Sequence, residues 1–185
     1  PGFGYRSYAI RAAASDRGEP TDPQEGTIEN AYLRVEVGDD GTFTLTDKET
    51  GIRYAGLNRF VDVGDRGDEY NFCPVEDDVT IATPSGDMQV RRIETDASRQ
   101  VLEISMVYTV PVALGDTRHT RSSETTDLPI TTRVTLIEGV PRVEIETTVT
   151  NDASDHRLRA HFPVPVEVDS FDAEGHMDVI TRSLD

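Results

Sequence analysis

Three aspartates, a glutamate, two glycines and a tyrosine fall within thirteen residues, from Asp62 to Pro74. Carboxylates on a short loop can hold a cation, and a polar, acidic loop carried by a rigid β framework is where a binding function would sit. Gly64 and Gly67 favour a sharp turn that projects those side chains. Asp62, Asp65 and Asp68 recur every third residue, a spacing of hard oxygen ligands that keeps calcium open as one reading. The stretch departs from an EF-hand, which needs alternate ligands and a late glutamate. A solvated acidic turn is the plainest account of the same residues.

Other chemistry is harder to assemble. Glycoside hydrolysis needs two carboxyl groups flanking one bond, yet 35 acidic residues make chance pairs inevitable. His119, His156, His161 and His176 show neither an HxH nor an HExxH spacing. His156, beside Asp155 in a polar turn, reads as a structural hydrogen-bonding residue. Cys73 stands alone, which excludes an internal disulfide and a cysteine-based zinc site. It reads as a small buried hydrophobe. No serine has a nucleophile-elbow context and no glycine-rich loop opens a helix. The residues by themselves supply no catalytic constellation.

The elements that must position this loop are strands. Thr27–Val37 alternates apolar and polar residues, and Asp39-Asp40-Gly41 turns into Thr42–Asp47, a strong hairpin signature. Lys48–Gly51 makes a second turn before Ile52-Arg53-Tyr54. Val79–Ala82 is a short strand. Met88–Glu94 and Gln100–Val110 follow as longer ones, separated by the turn Thr95–Arg99. Gly115–Asp127 reads as a mobile polar loop. Pro129–Ile137 and Arg142–Thr150 form a hairpin through Glu138–Pro141, and Arg157–Pro163 is a further strand after the turn Asn151–Asp155. Phe171–Asp185 is mixed sequence. No window keeps a 3.6-residue period, so the chain is expected to be all-β, an antiparallel sandwich. Residues 1–26 are expected to hold a leading strand and an acidic Pro/Gly-rich linker, with the sandwich over 27–185. A start at Pro1 rather than Met suggests a segment of a longer chain.

Charge narrows the partners. The net charge is −17, with 35 acidic against 18 basic residues, and Lys48 is the only lysine. Such a surface repels nucleic acid and anionic membranes, so neither is expected. No apolar run reaches the roughly 20 residues of a membrane span. The acidity fits solubility at high salt, and it fits an arginine-over-lysine coding bias equally.

Several motifs occur in an order that resembles a known family. Ile28-Glu29-Asn30 with Leu33-Arg34-Val35, then Gly41–Lys48, is similar to the start of the C-terminal β-region of glycoside hydrolase family 38 α-mannosidases. Gly64–Phe72 resembles a signature loop of the bacterial and archaeal branch, which includes mannosylglycerate hydrolases. Asn151, Asp155–Arg159, Phe162-Pro163, Phe171–His176 and Asp178-Val179 continue the match, which runs from about residue 4 to the end. The resemblance implies a galactose-mutarotase-like supersandwich segment. It implies that zinc and two aspartates that do the chemistry sit in an N-terminal barrel of the same polypeptide, absent from these 185 residues. This chain would then hold no catalytic residue and no metal, and would be silent alone. The substrate implied is an α-mannoside or a mannosylglycerate-like compound. Tyr70 corresponds to a tyrosine that reaches the sugar in related enzymes, with Asp65 and Asp68 supporting the loop or accepting sugar hydroxyls. A cytoplasmic location follows from the resemblance and the lack of disulfides. The alternatives are a free-standing carbohydrate-binding or calcium-binding β-module, and a structural β-domain whose loops never meet substrate.

Overall fold

The computed structural model describes residues 26–68, 70–95 and 98–184. The leading strand and most of the linker expected over 1–26 lie outside the described residues. Every regular element among the described residues is a strand, and all ladders are antiparallel.

The first sheet is a meander of β1 (Thr27–Glu29), β2 (Leu33–Val37), β3 (Phe43–Asp47) and β4 (Arg53–Leu57). Its hairpins are closed by local chemistry. At the β2–β3 turn, Asp40 Oδ1 accepts from Thr42 N at 3.0 Å and Thr42 Oγ1 at 2.7 Å. Gly41 takes a φ of 80°, in the left-handed region that a side chain would strain. At the β3–β4 turn, Asp47 Oδ1 accepts from the backbone of Glu49 and Thr50. The second sheet orders β6 (Gln89–Thr95), β7 (Arg99–Pro111), β8 (Thr125–Ile137) and β9 (Val143–Val149) as another meander.

Alternation makes the core. On β7, Leu102, Ile104, Met106, Tyr108 and Val110 point one way, opposite Val134, Thr132, Ile130, Leu128 and Thr126 of β8 in register. The apolar ones meet Ile28, Leu33, Val35, Phe43 and Leu57 of the first sheet in one buried cluster. Each fully buried aliphatic side chain of this kind contributes about 1.5–3 kcal/mol. The expected sandwich is therefore present.

Asn58, 1% exposed with a φ of 66°, is the single residue between β4 and β5 (Arg59–Gly64). Asparagine tolerates this left-handed turn, and its amide is held by Thr132 Oγ1 at 3.2 Å. The turn delivers the chain into a two-stranded ribbon of β5 with β10 (His156–His161). A second ribbon, β11 (Ser170–Glu174) with β12 (Val179–Ser183), occupies the stretch whose sequence was mixed. The expected mobile loop over 115–127 is instead the tip of the β7–β8 hairpin. Val112 N donates to Glu124 O, Ser122 N to Ala113 O, and Gly115 N to Thr120 O, extending the ladder beyond Pro111. Two isolated bridges, Leu114 with Arg121 and Asp77 with Thr120, hold this polar tip further.

Candidate functional site

The acidic stretch divides at Gly64. Asp62 belongs to β5, its backbone exchanging hydrogen bonds with Ile81 at 2.8 and 2.9 Å and its Cα facing Leu158 of β10. Period-two alternation sends its side chain inward with Phe60, and Asp62 is 0% exposed. A charge is tolerated there because Arg121 Nη2 lies 2.6 Å from Oδ1 and His156 Nδ1 hydrogen-bonds Oδ2. His156 Nε2 faces Asn151 Oδ1 at 3.1 Å, and Arg121 Nη1 donates to Val79 O at 3.2 Å. His156 is thus the structural hydrogen-bonding residue the sequence suggested. This carboxylate ties the hairpin tip, β5 and β10 together.

From Asp65 to Pro74 the chain forms a closed loop. Arg66 N donates to Cys73 O at 2.9 Å at its neck, and Asp65 bridges to Pro74. Asp65 Oδ1 accepts from Gly67 N at 2.9 Å and Cys73 N at 3.0 Å, while Asp65 N donates to Asp155 O. Asp68 Oδ1 accepts from Tyr70 N and Asn71 N, both at 2.9 Å. Those two N–H groups hold the Asp68 carboxyl below the usual carboxylate range. Asp65 and Asp68 therefore shape the loop from within. The three aspartates do not converge, since Asp62 turns into the core. Among the described residues no group of three His, Cys, Asp or Glu side chains could hold a metal ion.

The glycines matter for space. Neither Gly64 nor Gly67 has the positive φ that Gly41 shows. A Cβ on Gly67 would fall 1.8 Å from Asn71 O, and one on Gly64 would fall 2.6 Å from Val75 Cγ2. The loop closes on itself too tightly for any side chain at Gly67.

Outside the loop, Arg66 Nη1 meets Glu76 Oε1 at 3.1 Å, and Arg66 Nε contacts Cys73 Sγ at 3.2 Å. Cys73 is half-buried against that guanidinium rather than lodged in an apolar core. His119 Nδ1 faces the other Glu76 oxygen at 3.0 Å, so Arg66 and then His119 hold the Glu76 carboxyl below its ordinary value. Arg118 reaches Arg66 O and Asp155, and Arg157 lays its guanidinium 3.4 Å from the Phe72 ring centroid.

On this braced frame Tyr70 is 84% exposed. It is not a core tyrosine. A ring presented this way can stack on the apolar face of a pyranose while its hydroxyl bonds a sugar oxygen. The residues that sequence reasoning missed are Arg121, Asn151 and Arg157. Nothing local marks Arg121: its role depends on a tip that folds back onto β5.

Comparison with known proteins places these elements. Residues 28–185 match the family described as the C-terminal domain of glycosyl hydrolases family 38. A Halalkalibacterium halodurans protein named "Putative mannosylglycerate hydrolase" is 31% identical over 175 aligned residues, covering 87% of this chain and 20% of its own length. The crystal structure of an α-mannosidase from Enterococcus faecalis V583 superposes with a TM-score of 0.80 at 28% identity, over 87% of this chain and 20% of that one. A second Enterococcus faecalis structure, of a protein in glycosyl hydrolase family 38, gives the same TM-score and identity over 21% of its length. The chain thus spans about a fifth of the length of these relatives.

Proposed function

The chain belongs to the glycosyl hydrolases of family 38, as their C-terminal β-domain, and we propose that it serves a retaining α-mannosidase-type enzyme without doing the chemistry itself. Its partner in this reading is the catalytic barrel of the same polypeptide, and the substrate is an α-mannoside or a mannosylglycerate-like compound. The carboxylate nucleophile and acid–base residue of a double displacement belong to that barrel. In this reading zinc belongs to that barrel too. Sequence 62–74 contributes to the sugar site through Tyr70, with Asp65 and Asp68 holding the loop in shape. A cytoplasmic home completes the reading, supported by the single cysteine, Cys73.

The observation that carries the proposal is the exposed Tyr70 on a loop that Asp65 and Asp68 brace through backbone hydrogen bonds. Such rigidity is costly to build for a loop that touches nothing. Docking on another body is supported by the apolar side chains that β10–β12 leave in solvent. Phe162, Val164, Val166, Val168, Phe171 and Val179 are each between 46% and 65% exposed, an apolar display that isolated soluble domains rarely keep.

The test is Tyr70→Phe and Tyr70→Ala in the full-length parent. Losing the hydroxyl alone forfeits about 0.5–1.5 kcal/mol, a several-fold fall in kcat/KM for an α-mannoside. Losing the ring as well makes the fall roughly ten- to hundredfold. Unchanged kinetics in both variants would leave a purely structural domain.

A further inference from the structure

Among the described residues three that are not glycine take a left-handed φ: Asn58, Arg118 and Asp155. Asn58 makes the buried turn into β5, and asparagine and aspartate tolerate this region because a short polar side chain can bond locally. Arginine has no such relief, and Arg118, at a φ of 59°, stands where glycine is the usual choice. It closes the turn at the end of the β7–β8 hairpin. Its N donates to Gly115 O at 2.8 Å, while Gly115 N donates to Thr120 O at 2.9 Å. Strain of this kind persists only where the surroundings over-determine it, and it gathers at sites that hold a functional group in place.

The two strained residues beyond Asn58 meet each other. Arg118 Nη1 lies 3.4 Å from Asp155 Oδ1, and Arg118 Nη2 donates to Arg66 O at 3.3 Å. Asp155, with a φ of 51°, accepts from Asp65 N at 2.9 Å through its backbone carbonyl. Asp65 and Arg66 open the closed loop that carries Tyr70, and Arg66 N is also the donor that shuts its neck on Cys73 O. One strained residue from the hairpin tip and one from the turn before β10 therefore grip the same neck. A forked guanidinium is the part that can span a carboxylate and a carbonyl at once. Glycine at this position would make the turn and lose the grip, which gives the arginine a reason to be there.

We propose that Arg118 is a positioning residue: clasped to Asp155, it fixes the angle at which the loop leaves β5 and so the place where Tyr70 meets the sugar. The inference rests on the reading that Tyr70 touches substrate, and it adds the pair that aims the ring.

The experiment measures kcat/KM of the full-length parent for a chromogenic α-mannoside in Arg118→Gly, Tyr70→Ala and the double variant, with a thermal melt of each. Glycine relaxes the left-handed backbone, so the Tm of Arg118→Gly is expected to hold. Its kcat/KM is expected to fall about three- to tenfold, the weight of one half-exposed hydrogen bond, and Arg118→Lys to recover part of that. In the Tyr70→Ala background Arg118→Gly should cost nothing more, because the ring it aims is gone. Equal losses in the two backgrounds would overturn the inference, as would a loss matched by a lowered Tm; either assigns Arg118 to the fold alone. A parent in which Tyr70→Ala costs activity and Arg118→Gly does not overturns this inference and leaves the sugar-site reading standing. A parent indifferent to Tyr70→Ala overturns both.

Discussion

Replacing Asp62 by Asn keeps the shape of the side chain and removes one buried charge. Its partners cannot follow it into water, because the Arg121 side chain is 2% exposed and the His156 side chain 6%. Breaking a buried pair by removing one member costs about 3–5 kcal/mol, chiefly the uncompensated charge left behind. Against a typical stability of about 5–15 kcal/mol this is a large fraction. For a chain of this size it corresponds to a fall in Tm of roughly 6–20 °C. Urea unfolding followed by far-UV circular dichroism gives the free energy directly, provided the slope is the same for each variant. The double change Asp62→Leu with Arg121→Met removes both charges together. It should recover most of the loss, short of about 1 kcal/mol for the hydrogen bond His156 no longer makes. The reasoning fails if Asp62→Asn costs less than about 1 kcal/mol, or if the double variant is no better than the single one.

Three other substitutions follow from the geometry. Gly67→Ala puts a Cβ against Asn71 O, where backbone must move; a cost of about 1–3 kcal/mol and a fall in the parent's kcat/KM are expected. Gly86→Ala, with open space around it, should change neither, and thermal melts with parallel kinetics check both. Glu103 accepts from Arg133 and Arg91, and these bonds hold its carboxyl below the ordinary value. A depressed carboxyl contributes stability that is present above its unfolded pKa of about 4.3 and lost as pH falls through the folded value. Glu103→Gln should therefore cost about 1 kcal/mol at pH 7, a partly screened figure, with the gap to the native chain closing below about pH 4. A gap independent of pH would show that the ion pair carries none of it.

The parts legible in the sequence are those fixed by neighbours. Asp40, Gly41 and Thr42 close their own hairpin, and the alternation of Leu102 through Val110 against Leu128 through Leu136 writes the core face directly. Family motifs marked the loop and singled out Tyr70. The burial of Asp62 was not legible. Its run of Asp and Gly looks like a turn, and only residues far along the chain, Ile81, Arg121 and His156, make it a strand position. The hairpin tip around Arg121 was hidden for the same reason, because its composition is polar and its order comes from pairing across the tip. Gly67 read as a conformational need and proved a steric one.

The central claim is that this domain shapes a sugar site whose chemistry lies in the rest of the parent. Hydrolysis of a chromogenic α-mannoside by this chain alone and by the full-length parent, each with zinc, tests it most directly. The account predicts turnover by the parent and none by the chain. Turnover by the purified chain would contradict it and place a catalytic pair among these residues.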